Sequence, residues 1–560
     1  MMKTDDHLIK EELTFLYGTE TAEAYLPKVL EKVSRLRTSQ KSTSGRKRLS
    51  EKDSILITYG DNIRKRHASH SLVTLHHFLC TYVGNSISTV HILPFFPYTS
   101  DDGFSIVDYK EVDPKVGNWQ DVESLGQDYK LMFDLVANHC SRSSRWFKEY
   151  LACRRPYSNY FITCDPEADY CKVFRPRLQP LLTPVDTTEG KKYVWTTFSS
   201  DQIDLNYANP DLLMEILDVL CFYAIKGASI IRLDAIAFIW KQAGTRCLHQ
   251  PQVYSIIRLM RKMLEMGKMD VKIITETNVP HKENISYFGN GSDEATMVYN
   301  FPLPPLTLYT FMRQDTTILT NWAATLETPG PDTAFFNFLA SHDGIGLMSA
   351  RGIIPKEEIV LMADRVQEQG GHVSFKDNGN GTKSGYELNI NFFDALNIAG
   401  KIPEDAEICR FLASQAIILS LKGVPGIYIH SLLGNRNDTE GVQSTGCYRS
   451  INREKLDYDS LTQKLQDGSS INAKVLKGYR KMLDIRKEEP CFSPYAGQQV
   501  LKDIDKRVFA LERSINGRTI CCLINVSSTE VQIGYKGKRN LLGSVFQGVL
   551  APYQVAWLEV

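Results

Sequence analysis

The sequence predicts an α/β protein: a (β/α)8 TIM barrel with two inserted subdomains and a C-terminal antiparallel β domain. Three observations carry this expectation. Eight short, apolar, β-branched runs recur along the chain, and stretches of helical period separate most of them, as in a parallel sheet closed by helices. Two connections are far too long for ordinary βα loops. After about residue 489 the helical period stops and alternating runs replace it. At 560 residues the chain can bury a large core and exceeds one simple domain.

Residues 1–37 place apolar side chains at helical spacing (Leu8, Leu16, Tyr25, Leu26, Leu30, Val33), which predicts two helices in an N-terminal extension, 1–52. The polar stretch 38–52, with its basic cluster Arg46-Lys47-Arg48, reads as a solvated linker. The first part of the barrel, 53–139, holds strands at 55–59, 90–96 and 131–137. Residues 140–204 form the first inserted subdomain, B. The barrel resumes over 205–343, with strands at 229–235, 272–277, 297–301 and 334–340 and helices at 212–225, 253–266 and 316–326. A second insert spans 344–397. The last part of the barrel, 398–488, supplies a helix at 408–421 and the eighth strand at 424–429. The β domain, 489–560, is expected to pair 500–511, 519–524, 530–535 and 553–560. Both inserts follow strand C-termini, so they should roof that face of the barrel.

Composition excludes several classes. Sixty-five basic residues balance 65 acidic ones, so no global field draws nucleic acid or a membrane surface. No run of about 18 apolar residues exists to span a bilayer. The start, MMKTDDHLIK, carries early acids and no apolar core of a secretory signal. Twelve cysteines lack C-x-x-C spacing, and Cys221, Cys521 and Cys522 sit in apolar runs, which suggests reduced thiols and a cytoplasmic protein. Metal-ligand spacing is absent, and no cofactor is expected. Nothing fixes an oligomeric state.

The chemistry concentrates at strand ends. In ASIIRLDAIAF, 228–238, Arg232 and Asp234 are two apart on a strand and share a face. The arginine favours the ionised carboxylate, as covalent catalysis at a sugar carbon needs. Alone, the pair reads more often as a structural salt bridge. Its company changes that. Asp101 and Phe104 follow the second strand, Asp134, Asn138 and His139 end the third, Glu276 follows the fifth, and His342 and Asp343 follow the seventh. Barrel enzymes place catalytic groups at these C-terminal ends.

DLVANH, RLDAIAF, the lone glutamate of ITET and the SHD pair resemble the four conserved regions of the α-amylase superfamily, glycoside hydrolase family 13, and QIDLN resembles its auxiliary region. LITYGD, VHILPFFPYTSDDGFSIVDY, FRPR, VWTTF, LPPL, SHDGIG and SINR resemble the sucrose-phosphorylase subgroup. The N-terminal extension, ITETNVPHKENISYFG and NFLASHDGIGL resemble its glucosylglycerate-phosphorylase branch.

The resemblance implies Asp234 as nucleophile, Glu276 as general acid/base and Asp343 as the third carboxylate, holding glucose hydroxyls. It implies that Arg232 orients Asp234, that Asp101, His139, His342 and Arg449 contact the glucose, and that Phe104 lies under it. Asp134 and Asn138 read as structural. Arg175 and Arg177 of FRPR offer phosphate ligands, with Arg177 favoured, and Tyr386 would line the acceptor site. Phe238 and Ser384 stand where sucrose phosphorylases carry a tyrosine and an aspartate, which argues against sucrose. Lys383, Arg436 and Arg246 are candidates for an anionic acceptor. The implied partners are a small α-glucoside and inorganic phosphate; the amylase calcium site is not expected. The alternatives are sucrose, sucrose 6-phosphate or glucosylglycerol phosphorylase, a hydrolase using water, and a non-catalytic amylase-like binding protein.

Overall fold

The computed structural model describes residues 5–39, 48–377, 382–398, 400–535, 538–543 and 545–560. Eight parallel strands close a barrel: β1 Ile55–Thr58, β2 Thr89–Ile92, β3 Lys130–Val136, β4 Ala228–Asp234, β5 Lys272–Thr275, β6 Met297–Tyr299, β7 Ala334–Phe338 and β8 Val424–Tyr428. All eight expected runs are present, most trimmed by a residue or two at the C-terminal end, where the chain turns into functional loops. The runs are apolar on both sides because helices cover the outside and side chains fill the inside. Aromatic rings fill one side of the interior: Tyr299, Phe336 and Phe338 lie with centroids 4.7–6.2 Å apart. Gly426 on β8 makes room for them, since a Cβ there would sit 2.2 Å from the Phe336 ring.

The N-terminal extension is a brace. Helices α1 (Asp5–Tyr17) and α2 (Thr19–Ser39) turn at Gly18 and pack on the barrel helices Pro210–Ile225 and Pro251–Met266, which flank β4 in sequence. Tyr17 donates to the Tyr207 carbonyl at 2.8 Å, Tyr25 to Asp211 at 2.6 Å, and Arg258 pairs with Glu12 at 2.6 Å. Of the basic cluster, Arg46 and Lys47 lie outside the described residues. Arg48 is exposed; it pairs with Asp332 at 2.6 Å and lies over the Tyr495 ring.

After β3, a three-stranded sheet (Thr163–Cys164, Leu182–Thr187, Gly190–Trp195) and the pair His139–Ser141 with Gln202–Asp204 rise over the barrel mouth. After β7, Ile345–Gly346, Lys383–Asn389 and His372–Asp377 form a second small sheet beside helix Lys356–Glu368. At the C-terminus, Gly497–Val500, Val508–Ile515, Arg518–Asn525 and Val555–Glu559 form a four-stranded antiparallel sheet. The expected strand 500–511 is therefore two strands: Lys502, Asp503, Asp505 and Lys506 break the alternation and form the turn. Of 530–535, only Val531–Gln532 is strand. Trp557 ties this sheet to the barrel, its indole N–H donating to Ser420 Oγ at 3.0 Å.

Candidate active site

β4 ends on Asp234 because Ala235 turns left-handed, at φ 50°, and stops the ladder. In register across β3 and β4, Arg232 faces Asp134. Arg232 Nη1 donates to both Asp134 and Asp234, the latter at 2.7 Å, and His91 Nε2 lies 2.7 Å from the other Asp134 oxygen. A buried charged layer thus crosses β2, β3 and β4. Burial alone raises Asp134, but His91 and Arg232 outweigh it and hold the carboxyl down to about 2. The Tyr299 and Phe104 rings flank the guanidinium at 5.4 and 5.7 Å.

Glu276, just past β5, accepts the Ala235 N–H at 3.1 Å and lies 3.9 Å from Arg232. Burial pushes Glu276 up, against Arg232 and with Asp343 adding repulsion. Arg232 is not the only influence on Asp234. Burial, Glu276, Asp134 and Asp343 push its carboxyl well above the ordinary range, and Arg232 is shared with Asp134. Asp234 and Glu276 therefore titrate as a pair that retains a proton. Arg232 is closer to Asp234, so the pair's negative charge belongs there and its proton on Glu276.

Asp101 and Asp102 both hold left-handed backbone, at φ 52° and 46°, in a turn where Gly103 packs against the Pro94 carbonyl. Phe104 stacks on His342 at 4.6 Å. Burial lowers the pKa of both His139 and His342, so both rings are neutral. His139 Nε2 donates to the Phe104 carbonyl at 2.9 Å. Asp343 forms an ion pair with Arg449 at 2.6 Å. Burial raises Asp343, but the charges of Arg449 and Arg453 hold it well below the ordinary range.

Tyr386 and Glu387 come from the second insert, on strand Lys383–Asn389. Glu387 was not apparent in the sequence, yet it is the junction of the roof. It accepts two hydrogen bonds from Arg449, at 2.9 and 2.8 Å, and one from the Gly344 N–H at 2.8 Å. Arg177, from the first insert, lies 3.7 Å from it and over the Tyr386 ring. Arg453, Gln202 and Lys241 were also missed. Arg453 pairs with Asp102 at 2.7 Å and donates to the His342 carbonyl at 2.8 Å. Gln202 Nε2 donates to the Phe104 carbonyl at 3.2 Å. The SINR and QIDLN segments carried two of these residues, but only as matched strings.

One pocket brings together Asp101, Phe104, His139, Asp234, Glu276, His342, Asp343, Arg449, Arg177 and Tyr386, with Arg232 just beneath. Arg175 does not line it; its guanidinium folds back to the Gln179 carbonyl. Lys383, Ser384, Arg246 and Arg436 do not line it either. Arg436 is committed to Asp394 and Glu407, Arg246 lies 3.8 Å from Glu283, and Ser384 accepts from Arg351. Phe238 stands one layer back, against Phe198 and Phe174. Lys241 Nζ sits 2.7 Å from Asn138 Oδ1 and 2.6 Å from Asp204, placing an ammonium among these oxygens.

The alpha amylase catalytic domain family matches residues 83–359. A glucosylglycerate phosphorylase of Allomeiothermus silvanus is 47% identical over 98% of both chains. The chain belongs to the alpha-amylase family. A second family member, the glucosylglycerate phosphorylase of Escherichia coli, is 41% identical over 98% of this chain and 99% of its own. Among solved structures of the family's fold, sucrose 6F-phosphate phosphorylase from Thermoanaerobacter thermosaccharolyticum superposes with a TM-score of 0.73 at 25% identity, covering 85% of this chain and 94% of that one. Among the described residues no helix is long and apolar enough to cross a membrane.

Proposed function

We propose that this chain is a retaining α-glucoside phosphorylase that converts glucosylglycerate and phosphate into α-D-glucose 1-phosphate and D-glycerate. The observation that carries the reading is one pocket holding three carboxylates, Asp234, Glu276 and Asp343, with Arg177 at its roof. The glucosylglycerate phosphorylases similar to it along nearly their whole length support the same substrate.

Asp234 attacks the anomeric carbon while Glu276 passes its proton to the departing glycerate oxygen, leaving a β-glucosyl ester on Asp234. A phosphate oxygen then attacks that carbon, Glu276 takes the phosphate proton, and the α configuration returns. Arg232 orients Asp234. Asp343, Arg449, Asp101, His139 and His342 hold the glucosyl hydroxyls over the Phe104 face. Phosphate must enter where glycerate leaves, and both are anions. One cation, Arg177, beside Tyr386, can therefore serve both in turn. Its loose 3.7 Å approach to Glu387 leaves guanidinium donors for an incoming anion.

The test is α-glucose 1-phosphate with glycerate, glycerol, fructose or fructose 6-phosphate, following phosphate release. Glycerate should be the fastest acceptor. Faster release with another acceptor would reassign the substrate, and glucose release in place of any transfer would overturn the phosphorylase reading.

A further inference from the structure

On the opposite face of the barrel, away from the pocket, three side chains of different donor type converge. Helix α3 (Ser71–Phe78) carries His76, and Cys80 follows one turn later in a π-helical turn, Leu79–Val83. Helix α4 (Trp119–Asp128) ends on Asp128, just before β3. His76 Nε2 lies 2.7 Å from Asp128 Oδ2, and the Cys80 thiol points at the same oxygen from 3.7 Å. The imidazole nitrogen, the thiol sulfur and the carboxylate oxygen all lie within 4.8 Å of one another.

We propose that His76, Cys80 and Asp128 form a surface site for a borderline-soft divalent cation, zinc by chemistry, with solvent as the fourth ligand. Zinc bonds run about 2.0–2.3 Å to nitrogen, oxygen and sulfur, so ligand atoms around one tetrahedral ion stand about 3.3–3.8 Å apart, and the 2.7 Å imidazole–carboxylate contact must open to admit it. Small side-chain rotations bring this triangle to that size. A thiolate with an imidazole selects zinc over magnesium or calcium, which take oxygen ligands. The spacing of four residues between His76 and Cys80 sets both donors on one face of the helical segment, and a π turn is a recurrent local device for re-aiming a side chain at functional positions. The Asp128 side chain is 54% exposed and that of His76 22% exposed, so the site is shallow and open to water. Zinc binding displaces the thiol proton. The bound ion would clip the end of α4 to the turn after α3 and so pin the start of β3.

The test is cobalt(II), a spectroscopic stand-in for zinc, titrated into the full-length protein. One equivalent should give a thiolate-to-cobalt charge-transfer band in the near ultraviolet that zinc abolishes. Cys80→Ser should lose the band while keeping full phosphorolysis. His76→Ala should weaken cobalt binding by about tenfold or more. No charge-transfer band in the wild type, or an undiminished band in Cys80→Ser, would overturn the site. The other exposed thiols, Cys171, Cys409 and Cys447, remain in that variant, so a band arising from them persists and is told apart.

Discussion

Replacing Glu387 by glutamine tests how the roof is held. The glutamate accepts two hydrogen bonds from Arg449 and one from the Gly344 N–H, and it stands 3.7 Å from Arg177. Glutamine keeps the shape but offers one acceptor oxygen and turns an amide N–H toward a guanidinium that can only donate. A charge-assisted hydrogen bond contributes about 1.5–3 kcal/mol, and leaving a buried charge without its partner costs about 3–5 kcal/mol. Arg449 keeps Asp343 at 2.6 Å, so the lower range applies, about 2 kcal/mol. At 1.36 kcal/mol per decade that is about a 30-fold loss of kcat/KM. The assay is steady-state phosphorolysis with each substrate varied in turn, alongside a melting curve. Loss should appear in KM for phosphate as well as in kcat, because both arginines lose their anchor. Activity within threefold of wild type would refute the reasoning that Glu387 positions them.

Four further outcomes follow from the same geometry. Arg177→Ala should raise KM for phosphate in phosphorolysis and for glycerate in synthesis, by about tenfold or more, and leave glucosyl binding unchanged; initial rates in both directions check this, and an effect on only one anion would remove the shared site. Glu276 is pushed up, so turnover should fall as pH rises through its raised value, above the ordinary ~4.3, and single-turnover phosphate release from α-glucose 1-phosphate by Glu276→Gln should lack that limb. Asp134, held near 2, adds stability above its unfolded value that is lost as pH falls toward 2, about 2 kcal/mol in all. Asp134→Asn should cost about 3–5 kcal/mol by denaturant unfolding at neutral pH, because Arg232 and His91 lose a buried anion.

Much of the barrel was legible because its signal is local. Each strand is a short apolar run, and the polar residue that ends it marks the catalytic face, which is how Asp234, Glu276 and Asp343 stood out. What escaped notice arrives from elsewhere in the chain. Glu387 lies on an inserted strand whose pairing no periodicity announces, and its role appears only when Arg449, 62 residues on, folds against it. Arg175 and Arg177 are two residues apart in one loop, and backbone course alone turns one to the Gln179 carbonyl and the other into the pocket. The surroundings of Asp234 were only partly legible for a related reason: Arg-x-Asp shows one neighbour, while burial and three other carboxylates act through space. The apolar alternation of 500–511 concealed a turn because Leu501 and Ile504 interrupt its charges.

The central claim is a covalent glucosyl-enzyme on Asp234. Incubating the Glu276→Gln protein with α-glucose 1-phosphate, followed by acid quench and peptide mass spectrometry, tests it directly. Phosphate is a good leaving group, so the first displacement should proceed and the second should stall. The account predicts one added glucosyl unit on the peptide containing 228–238, at Asp234, absent when Asp234 is alanine. A glucosyl unit on another residue, or none while phosphate is still released, would contradict it.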